Sequence, residues 1–206
     1  MTLEDAPGLH LAFASLHLLV GHFGSAAVHW IRFRRSPLVL YRRHASPHQR
    51  LTRVVSLASL GWAATLIASA TSGGFRGWLL GRTIFVVPPL ISWSIAALGL
   101  ALMAVSQASM GAAFRVGQDE RDAPPELQRS GLHALTRNPI YVGSWTFLLG
   151  MTLWHPSALL LTLCAVVGLG IHGLVLAEEA FLRERFGATY AAYCARTPRY
   201  ISGARR

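Results

Sequence analysis

Apolar residues run along this chain in five long blocks, and the polar residues between them are unevenly divided. The blocks cover Leu9 to Trp30, Val54 to Gly73, Thr83 to Ala108, Ile140 to Trp154 and Ser157 to Ala177. Most are near the ~20 residues that a helix needs to cross ~30 Å of hydrocarbon. The pattern therefore predicts an all-α fold, an integral membrane bundle of five transmembrane helices. Pro88-Pro89 predicts a kink or a late helix start in the third block. Ile140 to Trp154 is short: at ~1.5 Å per residue it spans only ~22 Å, so it must tilt, start at the interface, or include residues before Pro139. His155-Pro156 marks the turn into the last block.

The polar intervals set the orientation. Of the 19 arginines, 17 fall in residues 31–53, 109–138 and 178–206, and only Arg76 and Arg82 fall in the other loops. Cytoplasmic loops carry such an excess, so the expected topology is N-out and C-in, with a cytoplasmic C-terminal helical tail. Residues 109–138 read as a polar connector. No internal repeat or separate soluble region appears, so residues 1–206 read as a single domain. Acidic residues at Glu4 and Asp5 stand where a secretory signal would carry positive charge, so the first block is expected to be retained.

Composition agrees with that reading. Hydrophobic residues make up 52% and charged residues 14%, and the mean hydropathy is +0.40, too little polar surface to cover a soluble globule. A net charge of +10 would suggest nucleic acid in a soluble domain, but these charges lie between apolar blocks, and no nucleic-acid partner is expected. The expected partners are membrane lipids. Size and the lack of a targeting signal point to a prokaryotic inner membrane. Cys164 and Cys194 sit at different depths and are not expected to pair.

Polar residues bracket the last two blocks in an ordered pattern. It runs Ser130-Gly131, Arg137-Asn138-Pro139-Ile140-Tyr141-Val142-Gly143, an apolar hairpin, Glu178-Glu179, Leu182, Phe186-Gly187, Tyr190, Tyr193 and Pro198-Arg199-Tyr200. Ionisable groups at membrane depth are energetically unfavourable and commonly functional. This pattern, over about the last 90 residues, resembles the isoprenylcysteine carboxyl methyltransferase family. The resemblance implies a membrane-embedded methyltransferase dependent on S-adenosylmethionine, with the cofactor near the cytoplasmic face and a hydrophobic methyl acceptor entering from the bilayer. The cofactor-site region would be residues 125–206.

Carried onto this chain, the resemblance implies cofactor contacts from Gly131, Leu132, His133, Arg137, Asn138, Pro139, Tyr141, Gly143, Tyr190 and Tyr193. Arg137 is expected to hold the cofactor's carboxylate and one of Glu178 and Glu179 to face a cationic group. Catalytic candidates are Glu178, Glu179 and His172, the last as a base for a thiol, phenol or amine acceptor. No metal site is expected. Each feature also has a structural reading. Arg137 is equally an anchor for lipid phosphate, Tyr190 and Tyr193 are equally interfacial belt residues, and a glutamate at a helix end is commonly solvated. Gly143 and Gly150, with Gly168, Gly170 and Gly173 on the partner helix, suit close helix packing.

Four departures bear on the acceptor, one being Pro125 or Glu126 where the family has a histidine several residues before the Ser-Gly step. Asn138 stands where the family has histidine, and it cannot titrate near neutral pH. His133 stands where the family has tyrosine. Leu174 and Val175 stand where many members carry an acceptor-binding arginine, which points away from a prenylcysteine carboxylate. Two readings of other classes remain. His10, His17, His22 and His29 form two pairs seven apart and suggest haem ligation, although His17 and His22 differ by about 140° around the helix. The loss of the family histidine suggests a noncatalytic membrane scaffold.

Overall fold

A computed structural model describes residues 7–20, 30–31, 47–111 and 126–201. All regular elements in it are helical, and the one β-type contact is an isolated bridge between Thr83 and Ser157. The helices are α1 (Pro7–Leu18), α2 (Pro47–Thr71), α3 (Gly73–Leu80), α4 (Pro89–Met110), α5 (Pro139–Trp154) and α6 (Ala158–Arg196), with a short 3-10 turn at Gly131–Ala134 before α5. Among the described residues, three stretches are long and apolar enough to cross a membrane: Arg50–Thr71, Pro89–Met110 and Ala158–Arg196. Residues 112–125 of the polar connector, and residues 21–29 of the first block, lie outside the described residues.

Several boundaries differ from the sequence expectation for local reasons. Pro88 caps α4 and Pro89 is its first residue, since a proline ring fits the first helical turn, where an N–H would go unused. Thr83 to Val87 is thus extended rather than helical, and Ile84 N–H donates to the Pro156 carbonyl at 2.9 Å. The second helix begins at Pro47 rather than Val54. The last helix does not stop at Ala177 but continues through the glutamate pair to Arg196. Its one interruption is Gly187, with φ of 47° and ψ of −121°, a left-handed backbone that glycine adopts without side-chain strain. This break separates the membrane part of α6 from a terminal hook, residues 188–201.

Packing between α4 and α5 is backbone to backbone. A methyl group added at Gly99 would lie 2.3 Å from the Phe147 nitrogen, and one at Gly150 would lie 2.4 Å from the Ala96 nitrogen. A Gly143 methyl would lie 2.8 Å from Met103. Small residues permit this approach, and apolar lipid gives helices no hydrophobic reason to associate, so packing itself must hold them. The partner of Gly143 and Gly150 is therefore α4, and the glycines of α6 do other work. Gly170 receives Val55 and Gly173 receives Leu51, both from α2, while Gly168 meets the Trp145 ring. One core, including Ala14, Trp62, Leu66, Ala96, Phe147, Met151, Leu160 and Val167, joins all the long helices.

Replacing Gly150 with valine is expected to destabilise the fold by about 3 kcal/mol or more, because the clash is with backbone and cannot relax by a rotamer change. Thermal unfolding of the detergent-solubilised protein measures this; an unfolding midpoint equal to wild type would show that α4 and α5 are not so close.

Candidate functional site

The polar pattern converges where the loop before α5 meets the second half of α6. Glu179 is its centre, a carboxylate on a side chain only 3% exposed. Arg137 donates to its Oε1 from Nε at 3.1 Å and from Nη2 at 3.0 Å. Arg199 donates to Oε2 from Nε at 3.1 Å and from Nη2 at 2.9 Å. Asn138 Nδ2 adds a fifth contact, at 3.2 Å to Oε1. A buried carboxylate is tolerated only when its oxygens are filled in this way, and the Glu179 carboxylate holds the Arg199 guanidinium proton above the ordinary arginine range.

The same cluster ties the terminal hook down. Arg137 Nη1 donates to the carbonyls of Cys194 and Thr197, at 3.3 and 3.0 Å. Its backbone N–H donates to the Pro198 carbonyl at 2.9 Å, and Thr136 Oγ1 and Asn138 Nδ2 donate to the Arg199 carbonyl at 2.9 and 3.1 Å. Tyr193 donates its hydroxyl to the His133 carbonyl at 2.6 Å. Asparagine suits position 138 because one nitrogen carries two donors, and here one goes to the carboxylate and one to a carbonyl. That is a positional role with no need of titration.

Beside this cluster lies a cavity of about 190 Å³, reached by residues of α1, α2, α4, α5, α6 and the loop before α5. Sequence candidates His133, Arg137, Asn138, Pro139, Tyr141 and Glu178 line it. Tyr141 and Glu178 both face that cavity. The glutamate pair is thus divided: Glu178 faces the cavity, whereas Glu179 is saturated by its neighbours, and neither is a solvated helix end. Buried Nδ1 of His133 has no hydrogen-bond partner. Burial also lowers the His133 pKa below its ordinary value of 6.5.

Other candidates lie outside the cavity wall. His172 places Nδ1 2.7 Å from the Tyr200 hydroxyl, whose pKa burial raises, so the imidazole braces the hook. Gly143 packs on α4. Gly131 and Leu132 form the 3-10 turn that carries His133, with Gly131 at φ of 60°. Tyr190 and Tyr193 are buried in the hook, their rings 6.1 Å apart, which removes the interfacial-belt reading. Arg137 differs from its expected use: four of the five N–H bonds of a guanidinium are engaged within the protein, so it is a structural tie with one donor left over.

Polar residues that sequence reasoning passed over also line the wall, namely Thr52, Ser56, Ser59, Gln107 and Ser144, together with His17, which the sequence offered only as a haem ligand. Thr52, Ser56 and Ser59 recur at spacings of four and three, which puts them on one face of α2, and that periodicity in an apolar helix was the available signal. For the histidines of the first block, His17 is buried, bonded through Nε2 to Ser59 Oγ at 3.0 Å and stacked on Phe147 with ring centroids 4.7 Å apart. His22 and His29, and the side chain of His10, lie outside the described residues.

With this geometry in view, comparison with known proteins is decisive on the family. Residues 88–189 match the phospholipid methyltransferase family. The chain belongs to the superfamily of membrane methyltransferases that this family shares with the isoprenylcysteine carboxyl methyltransferases. The match takes in α4, the loop carrying Arg137, α5 and α6 through both glutamates. Together with the three apolar stretches, membership makes this an integral membrane protein. No curated protein matches the chain.

Two outcomes follow from the cluster. Glu179→Gln is expected to destabilise the protein by about 3 kcal/mol, because it leaves guanidinium charge under-compensated in a buried site. Arg137→Gln should be worse than Arg199→Gln, since Arg137 is 11% exposed and Arg199 38%; unfolding midpoints and proteolysis of the hook rank the three. For His133, the depressed pKa means its contribution is complete above about 6.5 and is lost as pH falls through the lower folded value. Wild-type stability should therefore decline on acidification below pH ~6.5, and His133→Asn should flatten that part of the profile.

Proposed function

We propose that this protein is a five-helix membrane methyltransferase, N-out and C-in, that moves a methyl group from S-adenosylmethionine to a hydrophobic acceptor reached from the bilayer. The whole chain acts as one domain, and the reaction takes place at the cytoplasmic end of a prokaryotic inner membrane. The supporting observation is the cavity itself: an apolar space at the mouth of the α5–α6 hairpin, with the motif residues Glu178, Tyr141, Asn138, Arg137 and His133 gathered on its wall.

The donor set suits such a cofactor. Glu178 offers negative charge to a sulfonium and an ammonium group. The unpartnered Nδ1 of His133 and the remaining N–H of Arg137 offer hydrogen bonds. When bound, S-adenosylmethionine supplies a methyl carbon on positively charged sulfur, open to in-line attack. The protein's work is then orientation and exclusion of water. Glu179, Arg137 and Arg199 fix the hook against the loop, and with it the distance between Arg137 and Glu178. Leu148, Val167 and Ile171 keep the acceptor side dry. Acid-base help from His172 is unsupported by its place against Tyr200. Acceptors whose lone pair is already available, or whose proton leaves late, fit this wall best.

Calorimetric titration of the detergent-purified protein tests the reading. Wild type should bind S-adenosylmethionine saturably. Glu178→Gln should weaken that binding about ten-fold, or about 1.4 kcal/mol, and should weaken S-adenosylhomocysteine less, because that product lacks the sulfonium charge. If folded wild type binds neither compound, the methyltransferase reading falls and a noncatalytic scaffold takes its place.

A further inference from the structure

Helices α1 and α2 lie outside residues 88–189, yet they build one side of the cavity. From α1 comes His17, and from α2 come Thr52, Val55, Ser56 and Ser59. Gln107 of α4 joins them and ties α1 in place, donating from Nε2 to the Val20 carbonyl at 2.8 Å. This side is polar but carries no formal ion: the charged residues that line the cavity, among those described, are Arg137 and Glu178, both at the loop and α6 end. Among the described residues, His17 is the one titratable group of α1 and α2 that lines the cavity.

We infer that the α1–α2 side of the cavity is the acceptor-binding site, and that it selects a lipophilic molecule whose head is an uncharged hydrogen-bonding group, a long-chain alcohol or phenol; transfer would break the sulfur–methyl bond, form an oxygen–methyl bond and pass the hydroxyl proton to the Glu178 carboxylate on the cavity wall. This rests on the methyltransferase reading for the word acceptor, but the binding site stands on the wall alone. Val55, Met103, Leu148 and Val167 supply the apolar surface for a hydrocarbon body. Serine and threonine hydroxyls each have two acceptor lone pairs and a rotatable donor, so they can exchange hydrogen bonds with a hydroxyl head. A phosphate, carboxylate or ammonium head would find no counter-ion among the described residues of that side, and most of the donors of Arg137 are taken up by Glu179 and two carbonyls; burial of an unpaired charge is strongly unfavourable.

Trp62 is a built-in reporter, its ring 5.8 Å from that of His17 and 5.7 Å from that of Phe147. Three probes with the same chain, 11-bromoundecanol, 11-bromoundecanoate and 11-bromoundecylammonium, would be titrated into the full-length protein in detergent, with bromine quenching of tryptophan fluorescence as the readout. The alcohol is expected to quench saturably and to bind at least about ten-fold more tightly than either charged probe, with most of the saturable signal absent in Trp62→Phe. Ser59→Ala, which removes a hydroxyl, and Ser56→Leu, which fills the space, should each weaken alcohol binding about five-fold or more. Unfolding midpoints identify any variant that has lost its fold. Equal or tighter binding of a charged probe, no saturable quenching by the alcohol, or alcohol affinities within about two-fold of wild type in both folded serine variants would overturn the inference. S-adenosylmethionine titrated into the same wild-type sample separates the two claims. If it does not bind while the alcohol preference holds, the methyltransferase reading fails and the lipophile site remains.

Discussion

A single carboxylate organises the functional end of this protein. Glu179 lies in the wall of a membrane helix with almost no exposure, and in so poor a solvent an ionised group persists only if its partners replace water completely. Those partners come from two places in the chain: Arg137 and Asn138 before α5, and Arg199 beyond the end of α6. Satisfying one charge therefore ties together the loop before α5, the second half of α6 and the terminal hook. Everything nearby takes its position from that closure, including the Gly187 break that lets the chain turn back.

The division of labour between the adjacent glutamates follows directly. Neighbouring residues on a helix point about 100° apart, so when Glu179 faces the hook, Glu178 must face elsewhere, and here that direction is the cavity. One carboxylate is thereby used for architecture and the other left for a ligand. The same economy explains Arg137 and Asn138, whose side chains touch the cavity while most of their donors hold protein groups. Loss of the family's histidine at position 138 is thus compatible with an intact site, because the position is used for donating two hydrogen bonds rather than for moving a proton.

Close packing elsewhere makes the cavity possible. Glycines at 99, 143 and 150 bring α4 and α5 into backbone contact, whereas α2 meets α6 through larger side chains, Val55 at Gly170 and Leu51 at Gly173. The bundle is consequently tight on one side and open on the other, and the opening is lined by the hydroxyls of α2. A helix that looks apolar in sequence thereby contributes the most polar uncharged wall in the site.

Much of this was legible in the residues alone. Five apolar blocks, the arginine asymmetry and the spacing from Arg137 to Tyr200 are local or periodic properties, and they specify helical structure, membrane class and family without reference to contacts. Pro139 and Gly187 act through their own backbone chemistry, but the helix start and the break they make were read only from the structure. What the sequence could not determine is which polar groups pair with each other. Whether Glu178 or Glu179 meets the cavity, whether Arg137 serves a ligand or the protein, whether Gly143 meets α4 or α6, and whether His172 faces substrate or Tyr200 all depend on helix rotation and on where a distant segment returns. Those choices were settled only by tertiary packing, because a buried charge accepts whichever arrangement of remote donors satisfies it, and no residue carries that arrangement in its own propensity.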